Sequence, residues 1–178
     1  MNGAFHLLYI IHQWDLLAFE LFSSRNTFRR FDVLAKLLSS SGNGHIYPLT
    51  PCILFLFEFP DVLLFTQFLT SAFLIERFFY VVAKKSFKRR RPADVLSNYQ
   101  SVIKAADEFS FPSGHSSAAF LMVSALVLFY GPMFSVCYIW AALIAFSRLV
   151  LGVHFPSDVM VGSLLGSALA YTNFILIS

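Results

Sequence analysis

The sequence predicts an all-α, integral membrane helical bundle of about five to six transmembrane helices, and three observations predict it. Of 178 residues, 57% are hydrophobic, 13% are charged and 22 are phenylalanine, a usage far from that of soluble globular chains. Apolar stretches near the roughly 20 residues that cross a bilayer recur along the chain. Charge is concentrated, with seven of the thirteen Lys and Arg residues lying between Lys84 and Lys104.

The elements follow in order. Residues 5–23 are apolar but carry His6, His12, Asp15 and Glu20, which suits a helix lying in the membrane interface or a first span. The N-terminus has no basic n-region and is expected to be retained. Spans are expected over 46–59, 62–83, 116–131, 134–152 and 158–176. Gly42, Asn43, Gly44 and Pro48 punctuate the approach to the first, while Pro60-Asp61 and Gly131-Pro132 mark tight turns. The polar stretch 84–115 reads as one long loop. No repeat or low-complexity tract interrupts the chain, so residues 1–178 are expected as a single domain. Cys52 and Cys137 sit in apolar stretches as packing residues, and no Cys/His cluster has zinc-ligand spacing.

This order brings three polar clusters to one membrane face. The first, KKSFKRRRP at 84–92, is equally an anchor for anionic lipids; nucleic-acid binding, a third reading of such a run, fits poorly with a chain that is nearly all span. In the second, Pro112-Ser113-Gly114-His115, Ser113 is a good N-cap and Gly114 admits close backbone approach. Free amides at a helix start can hold an anion, with His115 beside it, although the same four residues serve as ordinary helix punctuation. In the third, SRLVLGVHFPSD at 147–158, an Asp four residues after His154 can fix its tautomer and leave the other nitrogen nucleophilic. Snorkelling and capping are the plainer roles for Arg148 and Asp158. Gly162 and Gly166 form a small-xxx-small pattern for close helix packing within the fold.

Lys84, six residues, Arg91-Pro92; then Pro112-Ser113-Gly114-His115; then Ser147-Arg148, five residues, His154, three residues, Asp158: this ordered set resembles the signature of the type 2 phosphatidic acid phosphatase superfamily. The resemblance implies that His154 attacks phosphorus, that Asp158 orients it, and that His115 protonates the leaving oxygen and then activates water. It implies that Lys84, Arg91, Ser113, Gly114 and Arg148 hold the phosphate, with no metal and no cofactor. Lys88, Arg90 and His45 are candidates for contact with the substrate headgroup, or else surface charge and a loop residue.

A site at the membrane edge points to a lipid phosphate, and the resemblance points to lipid A 1-phosphate or undecaprenyl diphosphate, with phosphatidylglycerophosphate and phosphatidic acid as alternatives. A different class of reading is a non-catalytic lipid-binding membrane protein. The expected partners are the lipid substrate and the bilayer, with no nucleic acid and no obligate protein partner. Family members of this kind imply a multi-pass protein of the bacterial inner membrane with a periplasmic site. The charge distribution argues the other way: twelve of thirteen basic residues, Arg25, Arg29, Arg30 and Lys36 among them, fall on the site's face, which the positive-inside rule turns toward the cytoplasm.

Overall fold

The computed structural model describes residues 3–23, 31–97 and 99–177, and all regular structure among them is helical. Arg25, Arg29 and Arg30 lie outside the described residues. Eight α-helices are defined there: α1 (Gly3–Ser23), α2 (Asp32–Ser41), α3 (Leu49–Leu56), α4 (Val62–Phe87), α5 (Pro92–Val95), α6 (Gly114–Tyr130), α7 (Cys137–Val150, preceded by a 3₁₀ turn) and α8 (Pro156–Ile177).

Among the described residues, three helical stretches are long and apolar enough to cross a membrane: α4 with its extension to Val95, the 3₁₀ turn with α7, and α8. The centre is α6, apolar and 17 residues long. Most of its residues from Ser116 to Leu126 are buried, as befits a helix that is covered on every side. Helix α8 lies hard against it. A Cβ on Gly162 would stand 2.5 Å from the Ser113 carbonyl oxygen, and one on Gly166 would stand 2.0 Å from that of Ser117. Only glycine permits this approach, so the expected small-residue stripe packs inside the fold.

Two boundaries differ from expectation. The stretch 46–59 contains only the eight residues of α3 as helix, about 12 Å at 1.5 Å per residue, too short to cross alone. Helix α2 precedes α3 and packs along α7. Ser39 meets Arg148, Gly42 meets Ile144 and Tyr47 meets Trp140, so the chain descends α7 from the site end toward the far end. The interruption at Gly42–Pro48 is capped by Tyr47, whose hydroxyl donates to the Gly42 carbonyl at 3.1 Å.

The second difference lies at 84–115. Helix α4 continues to Phe87, so Lys84 is a buried helical residue and not the start of a loop. It extends the inward stripe Phe65, Phe68, Leu69, Ala72, Glu76 and Tyr80, because its ammonium finds acceptors inside the site. Helix α1 turns Asp15 and Phe19 inward at the site end, Phe19 against Phe155 and Tyr99, and leaves Tyr9, Trp14 and Leu17 exposed.

Candidate active site

Local sequence explains each placement. Arg91 is extended (φ −79°, ψ 160°), as a residue before proline prefers, and Pro92 then opens the single turn of α5. That reversal sends the Arg91 side chain back into the bundle. Its Nε donates to the Asp107 carbonyl at 3.0 Å, Nη1 to the Val153 carbonyl at 2.5 Å and Nη2 to the Phe109 carbonyl at 2.8 Å. Nη2 also pairs with the Asp107 carboxylate, which Lys84 Nζ reaches at 2.9 Å and the Tyr80 hydroxyl joins on its other oxygen. Burial alone would raise the Asp107 carboxyl. Hydrogen bonds from Tyr80 and Lys84, with the charges of Lys84 and Arg91, reverse that and hold it at about 2.

Ser113 is the N-cap of α6, accepting from the Ser116 amide at 3.5 Å and from the Ser116 hydroxyl at 2.9 Å. The Ser113 amide donates to the Asp158 carbonyl at 3.0 Å, which ties the starts of α6 and α8 together. Gly114 lies against the Tyr80 ring, where a Cβ would come within 2.8 Å. His115 follows in the first turn, its Nε2 3.0 Å from Asn43 Oδ1, so Nδ1 is the atom left to exchange a proton.

His154 stands in the connection between α7 and α8, 3% exposed, with Nδ1 3.7 Å from Asp158 Oδ2. Asp158 Oδ2 also accepts the Phe155 amide at 2.8 Å, so one carboxylate caps α8 and faces the imidazole. Burial pushes His154 down to about 4, against the opposing pull of Asp158 and with help from Arg148. The ring is neutral at physiological pH. Arg148 donates from Nη1 to the Ser39 hydroxyl, and its buried Nε has no hydrogen-bond partner among the described residues.

Arg91, Gly114, His115, Arg148, His154 and Asp107 line one cavity of about 820 Å³. It continues along α4 past Tyr80, Glu76, Phe73 and Leu69 to Thr66, about 20 Å by helical rise. Exposed Leu74, Thr70 and Cys52 belong to the same lining, so this arm opens sideways between α3 and α4.

All eight residues expected as catalytic or phosphate-holding thus gather at one end of the bundle. Lys84 reaches the cavity through Asp107, while Ser113 and Asp158 stand behind its wall. Lys88, Arg90 and His45 are exposed and lie outside the lining. Lys88 ends α4 in a left-handed conformation (φ 45°), which directs the following chain inward and leaves its own side chain out.

Sequence reasoning missed Asp15, Ser39, Asn43, Tyr80, Arg89 and Asp107. One signal was available, an aspartate in an otherwise apolar helix, since an ionisable group at membrane depth usually has a partner. The sequence offers Arg89, with its basic neighbours, as surface charge or as a contact for a second phosphate or an anionic headgroup. It is instead inserted between two carboxylates, 2.6 Å from Asp15 Oδ2 and 2.7 Å from Asp158 Oδ1.

Comparison with known proteins bears on the family and the fold. The chain is 32% identical over 123 residues to a probable lipid phosphate phosphatase beta of Arabidopsis thaliana, matching 52% of this chain and spanning 56% of that protein. It is 28% identical over 161 residues to an undecaprenyl-diphosphatase of Sulfolobus acidocaldarius, covering 86% of this chain and 75% of that one. The crystal structure of Aquifex aeolicus LpxE superposes with a TM-score of 0.76 at 26% identity over 90% of this chain and 94% of that one. A transmembrane phosphatidylglycerolphosphate phosphatase from Bacillus subtilis shares the fold, with a TM-score of 0.72 at 22% identity over 94% and 86% of the two chains. The PAP2 superfamily model matches residues 63–177, the stretch that carries every motif residue from Lys84 to Asp158, and the chain therefore belongs to the PAP2 superfamily.

Proposed function

We propose that this protein is a lipid phosphatase that needs no metal and removes a phosphate or diphosphate from a lipid headgroup through a phosphohistidine on His154. One observation carries the reading: Arg91, Arg148, the two histidines and the helix start of the motif meet at one end of a cavity whose other arm runs along α4 past Leu69, Phe73 and Leu74 and opens sideways. A phosphate seated at the polar end could leave its tail in the lipid.

In this mechanism His154 keeps Nδ1 toward Asp158 and attacks phosphorus with Nε2, while Asp158 stabilises the charge that develops on the ring. His115, protonated and with its Nε2–H on Asn43 Oδ1, gives its Nδ1 proton to the leaving lipid oxygen, and the neutral ring then takes one from the water that cleaves the P–N bond. Lys84, Arg91, the Nε of Arg148, the Ser113 hydroxyl and the Gly114 amide stabilise the equatorial oxygens. Asp107 shares Lys84 and Arg91 with the incoming phosphate, and the exposed Lys88 and Arg90 meet a second phosphate or an anionic headgroup.

The favoured substrates are lipid A 1-phosphate and undecaprenyl diphosphate; the name of the Sulfolobus relative supports the second. The site faces the periplasm of a bacterial inner membrane in this reading. The test is phosphate release by detergent-purified wild type and His154→Ala, with EDTA present, across these two lipids, phosphatidylglycerophosphate and phosphatidic acid. Release by wild type alone supports the mechanism, and the rates rank the substrates. Release from the glycerolipids alone transfers the assignment to them. No release from any lipid leaves a lipid-binding protein.

A further inference from the structure

The carboxylate of Asp158 does not face His154 alone. Its Oδ1 accepts from Arg89 Nη1 at 2.7 Å, and that guanidinium lies over the Phe155 ring, 4.4 Å from the centroid. Arg89 Nη2 donates to Asp15 Oδ2 at 2.6 Å, and Asp15, only 3% exposed, also accepts the Ser157 amide at 2.9 Å and the Ser157 hydroxyl at 2.5 Å. Helix α1 is thereby stitched to the two residues beside the nucleophile.

An arginine in this position has two opposed effects. It fixes the carboxylate, whose Oδ2 is then aimed at the imidazole by the Phe155 amide. It also cancels the negative charge that must stabilise a cationic or phosphorylated His154. A second buried carboxylate on the far side of the guanidinium removes that cost: Asp15, Arg89 and Asp158 together carry one net negative charge, as Asp158 would alone.

We propose that Asp15 and Arg89 are a positioning pair for the nucleophile, Arg89 fixing Asp158 and Asp15 restoring the negative field that Arg89 takes from His154. The proposal rests on the reading of His154 as nucleophile. Other charged or titratable groups surround that ring: Arg148 from α7, Arg91 from the turn before α5, His115 from α6, Asp107 across the cavity with Lys84 paired to it, and His12 of α1 against the far side of Phe155. All of these stay constant in the following comparison.

The experiment uses the full chain in detergent, labelled with ¹³C-histidine, with the His154 resonance identified by its loss in His154→Ala, and turnover measured on undecaprenyl diphosphate. Asp15→Asn leaves Arg89 uncompensated: the midpoint of His154 protonation falls by about one pH unit, and kcat drops about tenfold with KM within about twofold. Adding Arg89→Gln to Asp15→Asn removes the charge that the first change exposed, and the midpoint returns to within a few tenths of a unit of wild type. A purely structural role predicts the reverse, because a second broken contact should compound the first. A midpoint unmoved by Asp15→Asn, or one displaced further in the double variant, overturns the proposal. Undiminished turnover in His154→Ala overturns the nucleophile assignment instead, whatever the titrations give. The melting temperature in detergent accompanies each variant, and a protein that does not fold is replaced by Asp15→Ser, for which the same shift is required.

Discussion

Residues 63–177 and the residues before them divide the work of the site unequally. The later segment matches the PAP2 superfamily model and contains every motif residue; the earlier segment contains none. Yet the earlier segment supports all three clusters: Asp15 reaches Arg89 and Ser157, Ser39 reaches Arg148, and Asn43 reaches His115. In the proposed mechanism the motif residues supply the reactive atoms, and side chains from the earlier segment help to hold them, beside Tyr80, Asp107 and Asp158 of the later one. A signature records what the chemistry requires, whereas the support can be delivered from anywhere the chain can reach.

That division can be tested from both sides. The largest effect belongs to the motif: His154→Ala should lower turnover by on the order of 10⁴-fold or more while the protein still elutes as wild type in detergent, since the nucleophile has no substitute. Next comes the contact that joins the motif helices. Gly166→Leu must displace the Ser117 carbonyl, so thermal unfolding in detergent should show a loss of about 3 kcal/mol and turnover should fall with it. The supporting segment should matter less. Asn43→Ala removes one hydrogen bond to His115, worth about 1 kcal/mol, and should slow turnover five- to tenfold with little change in KM. A loss as large as that of His154→Ala would place Asn43 among the reacting groups and erase the distinction.

The pH profile gives the smallest effect near neutrality. His154 must be neutral to attack, and its value of about 4 lies below its ordinary range. Activity governed by this group is therefore present above that value and is lost as pH falls through it, so kcat/KM should lack a His154 limb between pH 5 and 7.

Much of this was legible in the sequence because each feature had a local cause. Ser113 caps α6 since a serine precedes a helical run, and Gly162 and Gly166 meet α6 because their spacing repeats on one face. The motif residues converge because the helices that carry them alternate in direction. What the sequence left unread was determined by contacts between distant segments. Nothing near Arg89 distinguishes it from Lys88 or Arg90; its role depends on Asp15, 74 positions away. The helix of the 46–59 stretch was overestimated for a related reason. Its apolar residues read as one span, but only Leu49–Leu56 are helical, and the turn before them, Gly42–Pro48, brings Asn43 to the His115 ring.

The sideways opening between α3 and α4 has a kinetic consequence. In this reading a lipid arrives by diffusion in two dimensions, and its tail never has to leave the bilayer. The concentration that saturates the enzyme is then a mole fraction in the membrane. Diluting vesicles with buffer should leave the rate per enzyme unchanged, whereas diluting the substrate with inert lipid at constant volume should lower it. Inorganic phosphate, the product with no tail, leaves into water, so the two products separate into different phases as soon as they form.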